Sequence, residues 1–217
     1  VLSIFQGFSR RAIPLLLAAY LLAHAALFHA SDEIISVGNN TLAILTPLLA
    51  AAAMAAALLL CKQVLYSGSL HLELSSRVRR HMVRMLHSFA LALPVIATAG
   101  LLFDSLSPFT NTLVLRIAPV AIPLGLTIIA FRAAARSSRL LESAFAIAWL
   151  IQAIGAIIGA LSLAGLLSHG PVLANMYWLA FIPHGILLLL SSLRSLVASA
   201  EEDRQLEDEQ RLKREEE

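Results

Sequence analysis

Residues 143–167 read SAFAIAWLIQAIGAIIGALSLAGLL, a stretch with no charged side chain. A helix that crosses a hydrocarbon core of about 30 Å needs about 20 mostly apolar residues. This one exceeds that requirement, so it is expected to tilt or to project beyond the core. Five further stretches have the same character: 12–30, 42–61, 86–103, 112–131 and 172–193. None alternates apolar and polar residues as a membrane β-barrel strand would. The third is the shortest and is expected to begin before Ser88.

Composition supports lipid as the solvent. Hydrophobic residues make up 59% of the 217, charged residues only 14%, and the mean hydropathy is +0.80. A soluble domain carries about a quarter charged residues, because its surface must face water. The expected fold is therefore all-α: a polytopic membrane bundle of six transmembrane helices over 1–193, continuing into a helix over 194–217. The one cysteine, Cys61, rules out an internal disulfide and reads as a small buried hydrophobe. The first residues, VLSIFQGFSRRA, place mixed apolar residues before Arg10 and Arg11, unlike a secretion signal, which begins with its basic residues. That start, without an initiator Met, leads us to expect a chain cut from a longer one.

Lys and Arg in short loops are retained on the cytoplasmic side. Arg10 and Arg11 precede the first stretch. Lys62, Arg77, Arg79, Arg80 and Arg84 lie between the second and third. Arg132, Arg136 and Arg139 lie between the fourth and fifth, and Arg194 follows the sixth. The opposite connections, SDEIISVGNN, DSLSPFTN and SHGPV, contain neither Lys nor Arg. Both ends are expected in the cytoplasm. In the connection before the third stretch, Leu74, Val78, Met82 and Met85 recur at helical spacing, with Arg77, Arg80 and Arg84 on another face. This fits either a basic helix at the headgroups or an extension of the third span.

From Glu201 to Glu217 the chain is almost wholly charged and lacks Gly and Pro. Glu207 with Arg211, and Glu209 with Lys213, have the acid-before-base spacing that supports a helix. Leu189, Leu193, Leu196 and Ala200 form a seam at spacings of four, three and four, as a dimeric coiled coil requires. A solvated helix is the plainer reading of the tail; a relay joining the membrane bundle to an output domain is the sharper one.

The order of these features resembles the bacterial seven-transmembrane receptors with diverse intracellular signalling modules. Residues 139–210 are similar to their last two spans. Phe145, Ala148, Trp149, Gly155 or Gly159, Leu163, Gly165, Leu166 and Leu167 stand in the pattern of the penultimate span. His184 and Gly185 occupy the place of a turn in the last span, but the acidic residue usual after it is absent. Residues 1–28 look like the end of the first span, a short basic loop and the second span. The resemblance thus maps the six stretches onto helices two to seven. It implies a receptor in the bacterial inner membrane, working as a homodimer. Its output domain, C-terminal to Glu217, would be a histidine kinase, or alternatively a diguanylate cyclase. The ending EQRLKREEE looks most like the lead into a kinase dimerisation domain.

Polar groups inside spans are the functional candidates, because they are costly there. Arg116 is expected to snorkel outward or to pair with Asp104, with anion binding as the rarer reading. Gln152 is expected to hydrogen-bond a neighbouring helix. His184, after Pro183, can satisfy the carbonyl that the proline frees or take part in sensing. His24 and His29 are placed at the outer end of the first stretch, close enough to water to need no special purpose. Gly155 and Gly159 form a small-xxx-small pair that admits a second helix. No catalytic residue, metal site, phosphate loop or cofactor motif stands out, and the partners expected are the lipid bilayer and a second copy, not nucleic acid. A small transporter is the rival reading. Against it, the two halves show no inverted repeat and no paired acidic residues at the midplane.

Overall fold

The computed structural model describes residues 2–37, 40–66, 76–134, 140–167 and 170–216. It is helical throughout, with no strand among these residues. Six of its helices are long and apolar enough to cross a membrane.

The first is α1 (Leu2–Val37). It runs unbroken through Arg10 and Arg11, where the family resemblance implied a loop. The sequence there, FSRRA, contains no Gly or Pro, and Pro14 just beyond it is accommodated inside the helix. The second, α2 (Asn40–Tyr66), carries the alanine-rich run LLAAAAMAAALLLC. Its spanning portion is 61% buried, whereas those of the first, third and last crossing helices are each 28% buried. Alanine accounts for this central position, since in lipid it is small side chains that let neighbouring helices approach. Here α2 lies between α1 and α3 (Ser76–Leu102) and also reaches the fourth crossing helix. Cys61 sits fully buried on it, as expected. A membrane-permeant maleimide should therefore label Cys61 only after the protein is denatured; rapid labelling of the native chain would contradict this packing.

The extension reading holds for α3, which is one helix from Ser76. Arg80, His81 and Arg84 are exposed on its first turns, and Lys62 Nζ donates to His87 Nδ1 at 3.2 Å, tying α2 to α3. The opposite connection folds into a 3-10 turn and α4 (Ser107–Asn111). Gly100 admits α4 against α3, because a Cβ at Gly100 would lie 2.5 Å from the Cβ of Thr110.

A π-helical turn, Thr112–Ile117, leads into α5 (Ala118–Ala134). The Ala118 N–H reaches back five residues to the Leu113 carbonyl, and Pro119 has no N–H to offer Leu115 in the α-helical pattern. The fifth crossing helix, α6 (Leu140–Leu163), begins before the sequence reading of 143–167 and stops short of its end. Gly165 takes a left-handed φ of 75°. Around it Leu166 N–H bonds Leu161 O at 2.9 Å and Gly165 N–H bonds Ser162 O at 3.0 Å, the paired bonds of a Schellman motif. After α7 (Pro171–Ala174), α8 (Met176–Glu216) runs for 41 residues, about 61 Å at 1.5 Å per residue. The boundary placed at 193/194 falls inside this one continuous helix. α6 packs between α5 and α8, and α8 also meets α1, which closes the bundle.

Candidate functional site: a histidine–tyrosine network between three helices

The buried faces of three helices repeat at alternating spacings of four and three. On α1 they are Ile13, Leu17, Tyr20, His24 and Leu27. On α6 they include Phe145, Trp149, Gln152, Ala156 and Gly159. On α8 the partly buried Tyr177 and Phe181 and the buried His184, Leu188 and Ser191 follow the same rhythm. Such spacing keeps one stripe of a helix toward a neighbour crossing at about 20°. The middle of each stripe is polar or aromatic, so the three polar segments meet.

The hydrogen bonds there have a definite direction. His184 Nδ1 lies 2.8 Å from the carbonyl oxygen of Ala148 on α6. A carbonyl can only accept, so Nδ1 carries the proton, and Nε2 of the neutral ring accepts from the Tyr20 hydroxyl at 2.9 Å. His24 repeats the pattern. Its Nδ1–H donates to the Tyr20 carbonyl at 3.1 Å, and its Nε2 accepts from the Tyr177 hydroxyl at 3.0 Å. Each Tyr-to-His bond joins α1 to α8, and the His184 bond to Ala148 joins α8 to α6.

Ring packing fills the space around these bonds. His24 stacks on Phe181 with centroids 4.4 Å apart and planes 8° from parallel. His184 stands edge-on to Trp149 at 4.7 Å. Tyr20 touches His24, Trp149, Phe181 and His184. Both histidines, Trp149 and Gln152 have no exposed surface.

Of the residues singled out in the sequence, His184 and Gln152 come together here. His184 does not satisfy the carbonyl one turn before Pro183; it reaches across to Ala148. Gln152 adjoins the Tyr177 hydroxyl, but neither its amide nitrogen nor its oxygen makes a hydrogen bond of acceptable geometry. The Trp149 indole N–H is likewise unpartnered. Gly155 belongs to the same interface: a Cβ there would strike the Ala180 Cβ and lie 2.7 Å from the Met176 carbonyl oxygen. Gly159 is buried one turn further along. The glycine pair therefore faces the inside of the bundle.

Arg116 is remote from the network and exposed on the π-helical turn, and the side chain of Asp104 lies outside the described set. Leu189 and Leu193 are 44% and 50% exposed, so their seam points away from α1 and α6; the side chains of Leu196 and Ala200 lie outside the described set.

Sequence reading missed Tyr20, Tyr177 and above all His24, which is buried and doubly bonded rather than near water. The available signal was Tyr20 and His24 four residues apart, with Tyr177 and His184 seven apart. Each pair lies on one helix face. Among the described residues no group of three His, Cys, Asp or Glu is placed to hold a metal ion. Comparison with family models, curated proteins and solved structures finds no match.

Proposed function

We propose that this chain is the transmembrane signal-transducing region of a bacterial receptor with both ends in the cytoplasm. Its output domain would be joined through the charged end of α8, a sensor histidine kinase being the preferred form. The observation that carries this reading is the continuity of α8. One helix joins Tyr177 and His184, bonded inside the bundle, to the charged segment beyond Glu201 without a break. Any change in the bundle that rotates or slides α8 is transmitted along a stiff rod. A stimulus selects between two positions of α8 only through its unequal affinity for them.

The outward seam of Leu189 and Leu193 favours a homodimer, because these leucines are exposed at coiled-coil spacing on the helix that leaves the bundle. Val197, also exposed, offers a labelling position. A spin label there, with Cys61 changed to Ala, should report a short distance between copies in lipid, with helix axes on the order of 10 Å apart. Absence of coupling between copies at every lipid dilution would refute the dimer. Reporter fusions after residue 217 should be active in the cytoplasm and those after residue 105 outside it. The reverse result would remove the relay altogether.

A further inference from the structure

We infer that Trp149 and Gln152 form a binding site for a hydroxyl group inside the bundle, filled by water or by a neutral membrane-soluble alcohol. The two residues are three apart on α6 and so share a face. Both are fully buried, and three polar atoms are left without partners: Trp149 Nε1, Gln152 Nε2 and Gln152 Oε1. Leaving such groups unpaired is costly in a low-dielectric interior.

The neighbouring groups limit what the protein itself can offer them. Both ring nitrogens of His184 and of His24 are engaged, and the hydroxyl protons of Tyr20 and Tyr177 are already donated. What remains are the N–H donors of Trp149 and Gln152, with lone pairs on Gln152 Oε1 and on the two tyrosine oxygens. A guest must accept from an indole or amide N–H and donate to an amide or phenol oxygen. A carbonyl compound can only accept, and a cation can only donate. An anion is disfavoured because, among the described residues, the buried side chains include no Lys or Arg to neutralise it. A hydroxyl oxygen meets both demands. Because Gln152 adjoins Tyr177, its occupant also bears on the contact between α6 and α8.

The test uses the whole chain in lipid vesicles with Trp178→Phe, which leaves Trp149 as the only tryptophan. Ultraviolet resonance Raman spectra should show its indole N–H hydrogen-bonded. Gln152→Leu, in a variant whose helical circular dichroism is unchanged, should shift that band toward the free form. An infrared O–H band that moves in heavy-oxygen water and vanishes in Gln152→Leu assigns water. A band that moves only with heavy-oxygen 1-octanol assigns a lipid-phase alcohol. A free indole N–H in the Trp178→Phe chain, which needs no change at Gln152, overturns the inference. So does the absence of any band sensitive to either label.

Discussion

Gly155→Leu should destabilise the bundle on the order of 3 kcal/mol, the upper end of what overpacking costs. Unfolding in detergent micelles, followed by tryptophan fluorescence, would measure it. The reason is local. The hydrogen of Gly155 faces α8 so closely that even a methyl group would meet the Ala180 side chain and the Met176 backbone. Backbone cannot swing aside as a flexible side chain can, so α6 and α8 must separate along their shared face. Gly125 supplies the contrast, because a Cβ there meets nothing within 4 Å. In the middle of α5, Gly125→Ala should be neutral or should stabilise by up to about 1 kcal/mol through helix propensity. If Gly155→Leu and Gly125→Ala behaved alike, the close approach of α6 and α8 would be wrong.

His184→Ala should cost a similar amount, about 3 kcal/mol, for different reasons. Part is the cavity left beside Trp149. The rest is two lost hydrogen bonds, each worth about 0.6 kcal/mol on average and up to about 1.7 in a membrane protein. The Tyr20 hydroxyl loses its acceptor as well. Tyr20→Phe should cost about 1 kcal/mol alone and much less when His184 is already Ala, since the bond it removes is then gone. Equal costs of Tyr20→Phe in the two backgrounds would show that the Tyr20 to His184 bond does not hold the bundle. If α8 is the relay proposed above, both changes should also alter the output of the protein by freeing α8.

How much of this was legible depends on what distinguishes a buried face from a lipid-facing one. In water the polar side of a helix announces its exterior. Here both sides are apolar, so hydrophobicity located the six helices and said little about their rotation. The exposed seam shows the consequence. Leu189 and Leu193 have the spacing of a packed stripe, yet the stripe packed within this chain is Tyr177, Phe181, His184, Leu188 and Ser191. Polar side chains were the better guide, because they avoid lipid: Gln152 and His184 were marked by chemistry alone and are both buried. His24 escaped because its place toward the end of the apolar stretch suggested nearby water, whereas α1 continues to Val37 and Tyr177 and Phe181 from α8 cover it. The end of α6 was legible in principle, since Gly165 followed by Leu166 is a helix-stop signal, but a continuous apolar run obscured it.

The alanine-rich α2 has a consequence for biogenesis. It is made directly after α1, yet among its neighbours α5 is made much later. During synthesis the small side chains that will be covered by α5 must wait against acyl chains while α3 is made. Alanine suits that delay, because it is apolar enough to remain inserted and small enough to admit α5 closely when it arrives.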